Sequence, residues 1–421
     1  MALALGVVLM AFGVPIAVVL GTAGTLALYT SGINLLVVPQ QFFSNVSNYS
    51  LLAIPFFMLT GAVMEATGVS RRLIDFSQSL VGFLRGAMGH VTILASMFFA
   101  DISGSATADT AAIGSILIPG MVKMGYARPF ATALQSAAGS LGLLFPPSMS
   151  MLIYAYTANV SVGKMFMASL IPGLLVVVSF MFTNYIIARR RDYGAVEEFS
   201  ARRVLVAFRE AIWALLAPVV ILGGIFGGVF TPVEAGVVAT LYVTFVGVFI
   251  YRALHWHQLK EILFKTLVNT TRVSFLLGVA FVVGRYLIEQ QIPATVAHTF
   301  LTFTASALIF LLFANLFFMV VHSVLETISS IIVVIPVFLP LAVQLGIDPV
   351  AFGIIVLINS AIGINLPPVG FCLFTACSIS GVSIEAATRA IVPFLGALLV
   401  DLAIVSAFPQ VSLFLPRFLG W

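Results

Sequence analysis

The motif Gly142-Leu-Leu-Phe-Pro146-Pro147-Ser148 interrupts a long apolar run. Proline lacks the amide hydrogen that a helix needs, and its ring clashes with the preceding turn, so two adjacent prolines break a helix. The pattern returns 221 residues later as Gly363-Ile-Asn-Leu-Pro367-Pro368-Val369. The two breaks predict a chain that is built from two similar halves.

The same offset relates other features of the two halves. These are Pro119 with Pro340, Pro172 with Pro393, and the apolar run 47–67 with the run 268–288. The alternative explanation is that prolines are simply common in transporter helices. Four matches at one offset favour an internal repeat instead.

The composition places these halves in a lipid bilayer. Of the 421 residues, 61% are hydrophobic and only 8% are charged, whereas a soluble domain has about 25% charged residues. The apolar runs are continuous and about 20 residues long, which indicates membrane helices rather than the short alternating strands of a barrel. We therefore predict an all-α polytopic membrane protein that is not a soluble enzyme. The net charge of +4 gives no reason to expect a nucleic-acid partner.

Each half contains a second interruption, which predicts a re-entrant helical hairpin. The tips are expected in Asp101-Ile-Ser103-Gly104-Ser105-Ala106-Thr107 and in His322-Ser323-Val324-Leu325-Glu326-Thr327, because Ser, Thr and Gly weaken a helix. The predicted division of the chain is a first repeat over 1–188 (hairpin 86–123, broken helix 128–158), a basic cytoplasmic linker over 189–210, and a second repeat over 211–421 (hairpin 300–345, broken helix 350–376).

The basic residues predict the orientation. With 189–210 in the cytoplasm, all of the 19 Lys and Arg residues except Lys164, Arg285 and Arg417 fall on the cytoplasmic side. This distribution favours nine crossings and two hairpins, with a cytoplasmic N-terminus and an outer C-terminus. The hairpins then enter from opposite sides, so the repeats are inverted, as in many secondary transporters.

The helix breaks predict a binding site, because lipid cannot satisfy the backbone groups that they free. Free carbonyls suit Na⁺, and helix N-termini suit a carboxylate. We therefore expect two related sodium sites, each formed by a hairpin tip and the Pro-Pro break of the same half. The predicted sodium-binding residues are Ser103, Gly104, Ser105, Gly142, Pro146, Pro147 and Ser148 in the first half, and Glu326, Thr327, Gly363, Pro367 and Pro368 in the second.

Residues near these breaks are candidates for contact with an anionic substrate: Asp109, Ser140, Asn365 and Arg285. Two of them have alternative explanations. Asp109 follows the first tip and can simply cap a helix, and Arg285 can extend to the outer interface. Single histidines give no metal site, so we expect no metal other than sodium and no organic cofactor.

The motifs together resemble one known family. They are Gly13-Val-Pro15, Phe99-Ala-Asp101-Ile-Ser103-Gly104-Ser105, Ile118-Pro119, Phe145-Pro146-Pro147-Ser148, Thr231-Pro232-Val-Glu234 and Leu366-Pro367-Pro368-Val-Gly370. In this order they resemble the large, DctM-like membrane subunit of tripartite ATP-independent periplasmic (TRAP) transporters. The resemblance covers the whole chain. It departs from the pattern at Val369, which carries no hydroxyl, so Thr327 or backbone carbonyls would have to serve at the second site.

The resemblance implies a function that the composition alone does not. It implies sodium-driven import of an organic acid, such as a C4-dicarboxylate or sialic acid, across the bacterial inner membrane by an elevator mechanism. It also implies two partners, a small membrane subunit of four helices and a periplasmic substrate-binding protein. The alternatives are a stand-alone sodium/divalent-anion carrier and an intramembrane enzyme. Against the enzyme, no Gly-x-Ser-x-Gly or His-Glu-x-x-His motif is present.

Overall fold

The computed structural model describes residues 9, 12–195 and 198–421, and the regular structure of these residues is helical. The helices are α1 Ile16–Thr30, α2 Val37–Val46, α3 Ala53–Ala66, α4 Val69–Val81, α5 Ala87–Ser103, α6 Ala106–Lys123, α7 Arg128–Gly139, α8 Met149–Ala158, α9 Val162–Arg191, α10 Ala201–Phe226, α11 Pro232–Phe245, α12 Trp256–Glu289, α13 Ile292–Phe303, α14 Ala307–Val324, α15 Thr327–Gln344, α16 Pro349–Gly363, α17 Phe371–Ser380, α18 Ile384–Ala407 and α19 Gln410–Phe418. Short 3₁₀ turns precede α3 and follow α7, and a π turn follows α11.

Eight helical segments in the described part of the chain are long and apolar enough to cross a membrane, as judged by length and composition. They contain α3, α9, α10, α11, α12, α14, α15 and α18. This confirms the prediction of an all-helical polytopic membrane protein. Residues 1–8, 10 and 11, at the start of the predicted first repeat, lie outside the described residues.

Two helix pairs form hairpins, and their tips are related by the 221-residue offset. Helices α5 and α6 pack together around residues 104–105, and α14 and α15 pack together around residues 325–326. The second hairpin begins later than the sequence predicts. Residues 300–303 belong to the separate helix α13, and Ser306 starts α14 by accepting a hydrogen bond from the Ile309 N–H at 3.5 Å.

The Pro-Pro motifs separate two further helix pairs. Helices α7 and α8 flank the first break, and α16 and α17 flank the second. Both Pro-Pro peptide bonds are cis. The second broken helix continues to Ser380, four residues beyond the predicted end, because Gly381 provides the left-handed residue that ends α17.

The hairpins and broken helices of the two halves interlock. Helix α15 packs on α8, and α6 packs on α17, so each hairpin contacts the broken helix of the other half. Two hydrogen bonds, one partly and one fully buried, join the halves: Tyr154 Oη donates to the Pro349 carbonyl at 2.6 Å, and Ser136 Oγ donates to Asn365 Oδ1 at 2.5 Å. These eight helices therefore form one interlocked unit.

The other helices surround this unit. Helix α3 packs on α11, and α12 packs on α1, α2 and α3. The predicted linker 189–210 is partly helical, since α9 runs to Arg191 and α10 begins at Ala201. The stretch between these helices is therefore shorter than the polar composition indicates.

Candidate functional site

The first tip is organised by a buried carboxylate. Gly104 takes a left-handed conformation (φ 60°) that ends α5, and Ser105 is extended before α6 begins. Ser103 Oγ donates to Asp109 Oδ1 and accepts a hydrogen bond from the Ser105 N–H at 3.1 Å. Asp109 is fully buried, and its second oxygen, Oδ2, has no hydrogen-bond partner. Asp109 therefore stabilises the tip from its buried side, through Ser103.

The first tip lies directly against the first break. The Met149 N–H donates to the Gly104 carbonyl at 3.3 Å. A Cβ atom at Gly104 would lie 2.6 Å from the Pro147 carbonyl oxygen, and one at Gly142 would contact the Asp109 carboxylate. Only glycine fits such close backbone approaches without rearrangement, so both glycines permit the contact of tip and break.

The second tip lies against the second break in a related way. The Val369 N–H donates to the Ser323 carbonyl at 3.2 Å. A Cβ atom at Gly363 would collide with His322, and it would lie 2.8 Å from the His322 carbonyl carbon. Gly363 therefore plays the spacing role that Gly142 plays in the first half, although its neighbour is a histidine rather than a carboxylate.

Both tips open onto one shared cavity of about 60 Å³. Its lining comes from the two tips, the first break and the second break: Gly104, Ser105, Ala106, Thr107, Leu143, Met149, Ser150, Glu326, Thr327, Ile328, Ile364 and Phe371. Four of these side chains carry hydroxyls, one carries a carboxylate, and the lining contains no Lys or Arg. Any anion bound here would have to be held by uncharged donors.

Those donors are available at four helix N-termini. Helices α6, α8, α15 and α17 all begin at the cavity, after the N-cap residues Ser105, Ser148, Glu326 and Gly370. None of these four N-cap residues makes a side-chain cap hydrogen bond, and the buried Ser148 hydroxyl has no partner. By contrast, Ser306, Asp348 and Ser383 cap helices that begin elsewhere. Some first-turn N–H groups are already used: Met149 N–H donates to the Gly104 carbonyl, and Cys372 N–H donates to the Ile364 carbonyl. The Glu326 carboxylate lies beside the Ile328 and Ser329 N–H groups. The others, such as those of Thr107 and Ser150, are available to a ligand.

The predicted sodium-binding residues differ in where they lie relative to this cavity. Gly104, Ser105, Glu326 and Thr327 line it. Ser103, Gly142, Ser148 and Gly363 lie outside the lining, within the packing of the tips and breaks. The two proline doublets differ, because Pro146 and Pro147 are buried whereas Pro367 and Pro368 are exposed. None of the four prolines is part of the lining.

The predicted substrate-binding residues do not line the cavity. Asp109 lies behind the first tip, and the buried Ser140 donates to the Ala137 carbonyl at 2.6 Å. Asn365 joins the two halves through Ser136. Arg285 is partly exposed and pairs with Glu289 on the same helix. In this structure Asp109 and Asn365 link separate segments, whereas Ser140 and Arg285 make contacts within their own segments.

Sequence reasoning missed eight lining residues, which are Ala106, Thr107, Leu143, Met149, Ser150, Ile328, Ile364 and Phe371. All of them except Leu143 and Ile364 share a signal that was available, since each lies within two residues of the start of the helix that follows a break or tip. The convergence of both tips on one cavity was also not foreseen, because the sequence relates each tip only to the break of its own half.

Comparison with known proteins identifies the fold and the family. The structure is similar to the YdaH transporter of Alcanivorax borkumensis, with a TM-score of 0.62, 14% sequence identity, and coverage of 91% of this chain and 88% of that one. The sequence is 42% identical over 380 residues to the C4-dicarboxylate TRAP transporter large permease protein DctM of Pseudomonas aeruginosa, covering 90% of this chain and 89% of the relative. It is 38% identical over 394 residues to the sialic acid TRAP transporter large permease protein SiaM of Vibrio cholerae, covering 93% and 92%.

The family match spans almost the whole chain. Residues 3–411 match the family described as tripartite ATP-independent periplasmic transporter, DctM component. The resemblance noted in the sequence is thereby confirmed, and the relatives are named as transport permeases rather than enzymes. With its polytopic helical fold and its shared cavity, the chain belongs to the DctM family of large TRAP transporter permeases.

Proposed function

We propose that the protein imports an organic acid together with Na⁺, and that the acid binds between the two hairpin tips. The observation that carries this proposal is the convergence of four uncapped helix N-termini on one cavity. Each N-terminus contributes a partial positive charge of about +0.5. Together they favour a carboxylate without a basic side chain, as in other transporters with broken helices.

The relatives support a carboxylate as the substrate. One is named for C4-dicarboxylates and another for sialic acid, which both carry carboxylates. The hydroxyls of Ser105, Thr107, Ser150 and Thr327 would contact the rest of the substrate. These side chains differ in reach and position, so they are the candidates for selecting one acid over another.

Sodium ions would bind where each tip meets its own break. Glu326 supports this assignment, because its carboxylate would repel an anionic substrate unless a cation lies beside it. Free carbonyls near 142–148 and 363–368 are suitable oxygen ligands for Na⁺. We assign the first site to Ser103, Gly104 and Ser105 with the first break, and the second to Glu326 and Thr327 with the second break.

The size of the cavity supports a mechanism with moving parts. Ligand pockets commonly measure about 300–1,000 Å³, whereas this cavity measures about 60 Å³, so the tips must separate before an organic acid can enter. Because the hairpins and broken helices interlock across the halves, we propose that they cross the membrane as one body, in an elevator mechanism between inverted repeats.

The family description supports partners and a location. We propose a small four-helix membrane subunit, a periplasmic binding protein that delivers the acid, and residence in the bacterial inner membrane. The distribution of Lys and Arg favours a cytoplasmic N-terminus and a periplasmic C-terminus.

Uptake by proteoliposomes tests the proposal. The purified chain is reconstituted with and without the small subunit and candidate binding proteins, and uptake of C4-dicarboxylates and sialic acid is measured in Na⁺ and in K⁺. We expect uptake only with both partners and with Na⁺. Equal rates in K⁺ would refute sodium coupling, and full uptake by the chain alone would favour the stand-alone carrier.

A further inference from the structure

In the described part of the chain, no other helix covers the outer face of α14, the first arm of the second hairpin. Leu308, Leu312, Leu316, Val320 and Val324 form a stripe at four-residue spacing, and they are 60%, 63%, 65%, 60% and 45% exposed. The equivalent arm of the first hairpin, α5, has no exposed residue. Helix α14 must therefore be held in place from its inner side.

Two polar residues on that inner side contact α16. Asn315 and His322 are seven residues apart, so they lie on the same face of α14. Asn359 Nδ2 donates to Asn315 Oδ1 at 2.8 Å, and His322 Nε2 lies 2.9 Å from Ser360 Oγ. His322, Asn359 and Ser360 are fully buried, and buried polar pairs of this kind hold membrane helices together.

The contact of His322 with Ser360 has a defined direction. The Ser360 hydroxyl also lies 2.9 Å from the Val356 carbonyl oxygen, which can only accept a hydrogen bond. Both contacts are satisfied when Ser360 donates to Val356 and His322 Nε2–H donates to Ser360. The backbone of His322 also packs on Gly363, so the same residue joins α14 to the second break.

The first half has no counterpart of these two contacts. At the 221-residue offset, Asn359 and Ser360 correspond to Ala138 and Gly139, which have no polar side chains. There the first arm is linked to the broken helix through Gln135 Nε2 and Ser96 Oγ at 3.4 Å. The repeat therefore does not require the Asn315 and His322 contacts. They are specific to the second hairpin, whose first arm is uncovered on its outer face.

We propose that Asn315 and His322 are positioning residues that fasten the uncovered second hairpin to its broken helix, so that Glu326 and Thr327 stay at the cavity even when it is empty. The role in transport rests on the proposed function, whereas the fastening itself rests only on the contacts above.

Hydrogen exchange of the full-length protein in nanodiscs, without Na⁺ or substrate, tests the fastening. We expect Ser360→Ala to speed exchange of the amides 325–330 about fivefold, as the loss of one buried hydrogen bond would. A further gain should appear in Asn315→Ala/Ser360→Ala, and His322→Gln, whose amide can still reach Ser360, should stay within about twofold of the parent protein. Exchange of the amides 102–108 should not change.

The matched control is Ser96→Ala, which removes the corresponding hydroxyl of the first half and should leave 325–330 unchanged. Parental exchange in the Asn315→Ala/Ser360→Ala double variant would overturn the proposal, and so would an equal increase at both tips, because that indicates general loosening. The assay needs no transport, so sodium-independent uptake would refute the proposed function while leaving the fastening intact.

Discussion

The two halves of the protein share a backbone plan but fix their hairpin tips by different chemistry. The first tip is held by the buried carboxylate of Asp109, by glycine contacts and by a buried proline doublet. The second is held by the side chains of Asn315 and His322, and its proline doublet is exposed. The comparison shows that the two halves form the same backbone contact, a tip against a break, with different residues.

The largest effect should follow from removing the only charge in the cavity lining, which belongs to the second half. We expect Glu326→Gln to lower the apparent Na⁺ affinity of uptake by about 100-fold, since changes around a bound cation cost up to that much. The measurement is uptake against Na⁺ concentration at a fixed substrate concentration. Parental Na⁺ dependence in Glu326→Gln would place the ion elsewhere.

The proline doublets should differ in effect because only the first is buried. Replacing Pro146 and Pro147 by alanine favours closure of the helix by up to about 3 kcal/mol per proline. Closure would move the main-chain carbonyl of residue 147 away from Gly104. We expect Na⁺ to stop raising the unfolding temperature of this variant.

The same replacement at the exposed Pro367 and Pro368 should preserve more than half of the Na⁺-induced shift. Thermal unfolding with and without Na⁺ measures both variants. Equal losses would show that the burial of the doublet is irrelevant, and no loss in either variant would show that the breaks are only kinks.

Adding a methyl group between tip and break should destabilise the protein in both halves. We expect Gly104→Ala and Gly363→Ala each to cost about 1–3 kcal/mol, because the added Cβ meets backbone atoms of the facing segment. Gly346→Ala is the control. Gly346 has φ 78° but open space around its Cβ position, so it reports backbone strain alone. Thermal unfolding in nanodiscs should separate the two effects, and equal losses at all three positions would argue against close packing.

The smallest effect should come from single hydroxyls of the first tip. We expect Ser103→Ala and Ser105→Ala to weaken apparent Na⁺ affinity about three- to tenfold with little loss of folded protein, as for a single lost polar contact. Ser115→Ala, on the exposed side of α6, is the control. If expression fell while Na⁺ dependence stayed parental, the tip hydroxyls would be structural.

Much of the fold was predictable, because two proline doublets and a single offset locate the hairpins and broken helices. The end of the predicted linker was not, since α10 begins with polar residues such as Arg202 that hydropathy assigns to a loop. The site was predictable only in part. Asn365 lies within the second break in sequence, but its side chain turns into the packing between the halves, and only tertiary structure decides that direction.

The four uncapped helix N-termini have a consequence for how such permeases diversify. A point mutation leaves the main-chain N–H group in place unless it introduces proline. Under the proposed function, the attraction for an acidic group therefore survives other changes at Ser105, Thr107, Ser150 or Thr327. Under the proposed function, substitutions at these positions can alter the shape and polarity of the cavity while a basal affinity for acids persists. The substrate specificity can therefore change in steps. Permeases named for C4-dicarboxylates and for sialic acid are both about 40% identical to this chain, so relatives at similar distance are named for acids of different size.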